Sequence, residues 1–191
     1  MPVVSKPCIF LGSCSGDLGD TEVWWFGDQL CVSKASNIVK VFGALETALG
    51  YINSAVVICK KQRKCLERLY WSLLYLSFYL STGVDVYYSK SLSILKKTLK
   101  CIYRHLPDAP LGWVVCRDKC CVEINKARVW TRWAERRMAA LSEGREAILI
   151  LNHLGSALFE LMRTCRHGVV ANRRLVEIKT VETSAAFPNW W

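Results

Sequence analysis

Apolar residues recur at three- and four-residue steps through most of the chain, the spacing of one face of an α-helix. Phe42, Leu45, Leu49 and Ile52 mark a first predicted helix from Val39 to Ile58. A second runs from about Arg63 to Ser81 and stops at Thr82-Gly83, because helices commonly end on a glycine. Leu92, Leu95, Leu99 and Ile102 mark a third, from about Ser89 to His105, before Leu106-Pro107-Asp108-Ala109-Pro110-Leu111-Gly112 breaks the pattern. Trp113 to Val115 is a short apolar piece. Ile124, Ala127, Trp130, Ala134, Met138 and Leu141 then form the stripe of a fourth helix. Ile148, Leu151, Leu158, Met162 and Cys165 form that of a fifth, with Ser142-Glu143-Gly144 between the two. Amphipathic helices joined by short connections predict an all-α fold: a five-helix up-and-down bundle in a ferritin-like arrangement. The bundle is expected over residues 35–167. Residues 1–34 are rich in Gly, Ser and Asp with no helical period and read as a polar loop region able to present backbone N–H groups. Residues 168–191 form a C-terminal tail, extended over Leu175–Glu182 and ending in Phe187-Pro188-Asn189-Trp190-Trp191.

The polar positions carry as much information as the apolar ones. At about 100° per residue, Arg128, Arg132, Glu135 and Arg136 share one sector of the fourth helix, away from its apolar stripe. Asn152, Ser156, Phe159 and Arg163 likewise share a face of the fifth, apart from its own stripe. Guanidinium groups with an embedded carboxylate suit a polyanion such as a nucleoside triphosphate. The same pattern also reads as a solvated, salt-bridged surface.

A formal charge of +10 favours anionic partners, either nucleic acid or phosphorylated small molecules. Hydrophobic content of 52% with 22% charged residues excludes a disordered chain. The apolar run from Leu69 to Leu80 is too short to cross a bilayer and the N-terminus lacks a signal pattern, so a soluble cytoplasmic protein is expected. Ten cysteines include no CxxC pair, and His105, His153 and His167 are scattered, so no structural metal is expected. Core thiols and intracellular disulfides remain the alternatives.

Neither GxxxxGK[ST] nor GxGxxG is present. What remains is Ser15-Gly16-Asp17-Leu18-Gly19-Asp20-Thr21, with Lys34 shortly after it. Such a loop can curl its N–H groups round an anion, Lys34 adds a point charge, and Asp17 is suited to hold Mg²⁺ through water. It also reads as a plain structural turn.

Taken together, these pieces resemble the trimeric ATP:cob(I)alamin adenosyltransferases of the propanediol-utilisation type, from about residue 13 to residue 167. The family's T-x-T-G-D-x-G-x-T is matched by Ser13-Cys14-Ser15-Gly16-Asp17-Leu18-Gly19-Asp20-Thr21, and its R-V-x-K by Cys31-Val32-Ser33-Lys34. Its G-T-V-D-E-L-N survives as Gly43-Ala44-Leu45-Glu46-Thr47-Ala48-Leu49. Its A-R-x-x-C-R-R-A-E-R is matched by Ala127-Arg128-Val129-Trp130-Thr131-Arg132-Trp133-Ala134-Glu135-Arg136. Its L-N-R-L-S-D-x-L-F is matched by Leu151-Asn152-His153-Leu154-Gly155-Ser156-Ala157-Leu158-Phe159.

The resemblance implies a homotrimer binding ATP between subunits and transferring the 5′-deoxyadenosyl group to the cobalt of cobalamin. It implies that Ser13, Ser15, Gly16, Asp17, Gly19, Thr21, Glu22 and Lys34 surround the triphosphate, and that Arg132, Glu135, Arg136 and Asn152 complete the pocket. Arg128 would pair with Glu46 across the interface, and Trp113 falls where the family places a phenylalanine beneath the corrin. Lys34, Arg128 and Arg132 would carry the catalytic charge stabilisation, and a reductase would supply Co(I). The chain departs from the pattern at Trp133, His153, Ser156 and Leu49, and at Cys116-Arg117-Asp118 after the aromatic. Those departures leave a second reading, a relative that binds ATP or a corrinoid as carrier or regulator. A basic helical nucleic-acid binder or a purely structural oligomer would lack that ligand chemistry altogether.

Overall fold

The computed structural model describes residues 16–104, 112–171 and 174–178, so Ser13, Ser15, His105 and the tail beyond residue 178 lie outside the described residues. Five helices dominate: α1 (Asn37–Ile58), α2 (Arg63–Thr82), α3 (Asp85–Tyr103), α4 (Lys119–Met138) and α5 (Arg145–Arg163). The expected bundle is present. α1 packs most extensively on α4, α4 on α5, and α2 on α3, while α1 meets α2 and α3 meets α5.

Local chemistry sets the helix ends. Ser36 caps α1 by accepting a hydrogen bond from Val39 N (3.4 Å), and Asp118 Oδ1 caps α4 by accepting from Cys121 N (2.7 Å). α2 ends at Gly83, whose φ of 69° is left-handed and whose missing Cβ would lie 2.9 Å from Phe26 O. Leu66, Leu69, Leu73, Leu76 and Leu80 of α2 are fully buried, each contributing about 1.5–3 kcal/mol by leaving water. The third helix starts at Asp85, earlier than the apolar period indicated, because Tyr87 and Tyr88 pack against the core as partly buried aromatics.

Strands cover both ends of the bundle. β1 (Asp20–Trp25) and β2 (Asp28–Ser33) form an antiparallel hairpin with Thr21 opposite Val32 and Trp25 opposite Asp28. Its two-residue turn, Phe26-Gly27, has φ of 50° and 94°, the paired positive values that match strand twist. Phe26 N and Gly27 N donate to Leu80 O and Ser81 O, docking the hairpin on the last turn of α2. At the opposite end β3 (Trp113–Cys116), β4 (His167–Ala171) and β5 (Arg174–Ile178) make a three-stranded antiparallel sheet. The part of the tail expected to be extended is thus a strand over its first residues.

Two disulfides stand at the sheet end. Cys59, at the end of α1, is bonded to Cys120 in the first turn of α4, and Cys116 of β3 is bonded to Cys121. Cys165 keeps its thiol, with its Sγ 3.2 Å from Cys120 Sγ. Of the two alternatives left by the sequence, four cysteines among the described residues adopt the disulfide form, while Cys65 and Cys165 are buried thiols. Length and apolar character alone would let α1 cross a bilayer, with a mean hydropathy of 1.5, but α4 and α2 cover one side of it.

Candidate functional site

The arginine-bearing sector of α4 forms as the helical spacing predicts, and α5 supplies its partner. Ala127, Thr131, Ala134 and Met138 face the core, which turns Arg132, Glu135 and Arg136 outward. Arg132 Nη1 donates to Asn152 Oδ1 (2.8 Å) and lies 2.7 Å from Glu135 Oε2. That second contact pairs the charges without the alignment of a hydrogen bond, so Glu135 Oε2, closed off from solvent, has no hydrogen-bond partner. Arg128 sits one turn earlier. Its Nε donates to Asn125 Oδ1 (3.0 Å), and its guanidinium lies 5.8 Å from the Phe159 ring centroid. Partial burial and the neighbouring Arg132 charge lower the Arg128 pKa from its ordinary value.

The chain brings Arg128, Arg132, Glu135, Arg136 and Asn152 together as one surface. Arg163, further along α5, pairs with Glu160 at 2.6 Å. Trp133, which stands where the family pattern has an arginine, is a further member of this face. The Arg136 and Arg137 guanidinium groups lie 5.3 and 4.3 Å from its ring centroid, so the indole gathers two charges beside Arg132. Its apolar ring in a run of arginines was the available signal. Ser156 Oγ donates to Asn152 O (3.1 Å), turned to its own helix, and His153 is exposed.

The turn before β1 is the second element. Gly19 N donates to Gly16 O (3.2 Å) and Lys34 N to Gly19 O (2.8 Å). Lys34 Nζ also donates to Gly16 O (2.6 Å), which holds the ammonium against the turn, with Asp17 exposed beside it. Thr21 is half-buried in β1, and Glu22 accepts from Gln29 Nε2 (2.8 Å). Trp25 Nε1 donates to Glu143 Oε2 (2.9 Å) in the connection after α4. The hairpin is thereby anchored at the end of the bundle where Arg132 and Arg136 stand.

Trp113 begins β3 at the opposite end. At 83% exposure it is not a core residue. Glu46 is exposed on α1, and no ion pair joins it to Arg128 among the described residues. Asp118, Cys120 and Cys165 bring ligand atoms within 4.8 Å of one another. Their roles are taken, however: Cys120 is bridged to Cys59, and Asp118 accepts from Cys121 N and Arg166 N.

The sequence profile of cobalamin adenosyltransferases matches residues 12–165. No curated protein matches the chain. Among solved structures, the fold is similar to variants of a PduO-type ATP:corrinoid adenosyltransferase from Lactobacillus reuteri. Two of these, complexed with cobalamin and ATP, are 16% and 17% identical, with TM-scores of 0.61 and 0.62. The alignments cover 77% and 81% of this chain and 88% and 89% of those chains. A third variant, complexed with ATP, is 18% identical with a TM-score of 0.58, covering 77% of this chain and 89% of its own.

Proposed function

The chain belongs to the cobalamin adenosyltransferase family, and from that premise we propose that it transfers the 5′-deoxyadenosyl group of ATP to the cobalt of cob(I)alamin, giving adenosylcobalamin and triphosphate. Co(I) of the substrate attacks C5′. The cobalt–carbon bond forms as the C5′–O bond breaks, and triphosphate leaves with the electron pair. The nucleophile is the substrate's own cobalt, so no Ser/His/Asp triad is needed. The residues have two tasks, to orient ATP and to stabilise the departing charge.

Arg132 and Arg136 supply guanidinium donors for the triphosphate, with Arg128 behind them, and Asn152 holds Arg132 in place. Lys34 and the N–H groups of the turn at residues 16–19 approach the phosphates from the other side. Thr21 and Glu22 extend that side, and Ser13 and Ser15, outside the described residues, are assigned to the phosphates by the family pattern alone. Asp17 would hold, through water, a Mg²⁺ that neutralises phosphate charge. The observation that carries the reading is the Arg132–Glu135–Asn152 constellation, in which one guanidinium is held between a carboxylate and an amide oxygen. Trp113, a flat and exposed ring, takes the position beneath the corrin.

The active form in this reading is a cytoplasmic homotrimer. Val57 on α1 is 68% exposed, and Val122, Val129 and Trp133 on the adjoining α4 are also exposed, so apolar surface flanks the arginines. A neighbouring copy would cover it and bring Glu46 to Arg128. A partner reductase supplies the Co(I) state. The second reading, a carrier or regulator that binds without turnover, draws on His153 and Ser156, which stand where the family pattern has Arg and Asp. ATP titration of wild type and Arg132→Ala tests the site. The variant is expected to bind about 10- to 100-fold more weakly, the range for a lost charged hydrogen bond. Unchanged affinity would overturn the assignment.

A further inference from the structure

Gly155 lies in the middle of α5, where a glycine is unfavourable, because it leaves backbone freedom to be lost on folding and gives no side chain to pack. It is nonetheless buried, and what buries it is specific. A Cβ added there would stand 2.9 Å from Arg132 Cδ and 3.6 Å from Arg132 Cγ, with nothing else within 4 Å beyond the backbone of its own helix and its chain neighbours. The aliphatic stem of Arg132 therefore lies across the bare backbone of α5 in the space a side chain would fill. The end of that stem is the guanidinium that reaches Asn152, one turn earlier on the same helix, while also touching Glu135.

The surroundings show why this path matters. Ser156 offers Arg132 no carboxylate and points its hydroxyl at Asn152 O. Asn152 is the α5 side chain that receives the guanidinium, and reaching it takes Arg132 over position 155. The family pattern has serine at this position and aspartate at the next, so the glycine accompanies the loss of that acid. From this geometry we infer that Gly155 is a positioning residue for ATP. It opens the lane that holds Arg132 flat against α5, with its guanidinium presented between Asn152 and Glu135. The inference rests on the nucleotide-site reading above and deepens it.

Gly155→Ala separates this role from a structural one. Alanine is the better helix residue, and the atom it meets belongs to a flexible side chain, so Arg132 rather than the helix should yield. The variant is expected to keep or raise the melting temperature while binding Mg-ATP about tenfold more weakly, the scale of a lost charged hydrogen bond. The same substitution made in Arg132→Ala should raise the melting temperature and leave ATP affinity where Arg132→Ala alone puts it. If Gly155→Ala binds ATP like wild type while Arg132→Ala does not, the inference is overturned and the site reading stands. If Arg132→Ala itself binds like wild type, the site reading fails and the inference with it. If Gly155→Ala lowers the melting temperature equally with and without the Arg132 side chain, the glycine serves backbone packing and the inference is again overturned.

Discussion

The cysteines at the sheet end make a quantitative prediction about stability. The Cys59–Cys120 bridge joins positions 61 residues apart, and in the chain-entropy account a loop of that length is worth about 4 kcal/mol at 25 °C. Cys59→Ala removes that bridge but leaves Cys120 beside the Cys165 thiol, their sulfurs 3.2 Å apart. A Cys120–Cys165 bridge would span 45 residues, and the same relation gives it about 4 kcal/mol, lower by only some tenths because the dependence on length is logarithmic. Under oxidising conditions Cys59→Ala should therefore re-pair and remain within about 1 kcal/mol of wild type. Cys120→Ala removes both options and should lose about 4 kcal/mol, roughly 8–16 °C in melting temperature for a chain of this size. Guanidinium unfolding followed by tryptophan fluorescence, with and without reductant, measures all three proteins. Peptide mapping after alkylation identifies the bridge in Cys59→Ala. Equal losses in Cys59→Ala and Cys120→Ala, or a wild type whose midpoint ignores reductant, would refute the reasoning.

Burial pushes the Cys65 and Cys165 thiols up from 9.0 to about 12, so between those values the unfolded chain releases protons that the folded chain retains. Stability should be independent of these groups below pH 9 and fall as pH rises from 9 toward 12. A Cys65→Ala variant in an alkaline unfolding series should show a shallower decline, and an identical slope would contradict the shift. Trp113→Ala removes a ring that the fold leaves exposed, so the unfolding midpoint should move by less than about 1 kcal/mol, as for other surface changes. Adenosyl transfer should fall at least tenfold in the same variant, with ATP affinity unchanged. Equal turnover would remove Trp113 from the corrin site.

The arginine face was legible because it is local: Arg128, Arg132, Glu135 and Arg136 are related by helical spacing on one element. The Arg132–Asn152 contact was legible only as a tendency, since it depends on α4 and α5 packing in one register. The hairpin was not, because Phe26-Gly27 is not the usual Asn-Gly or Asp-Gly signal and its strands are short. The disulfides were out of reach for a different reason. Cys59 and Cys120 meet because α1 ends where α4 begins, a consequence of bundle packing that spacing does not encode.

Adenosyl transfer itself is the central claim, and one anaerobic reaction tests it directly. Protein, Mg-ATP and chemically reduced cob(I)alamin are mixed, and the absorption spectrum is followed for adenosylcobalamin. The expected result is ATP-dependent product with an equivalent of triphosphate, both lost in Arg132→Ala. ATP binding without product from the wild-type protein would contradict it, and would mean that Trp133, His153 and Ser156 have left a site that holds the nucleotide without turning it over.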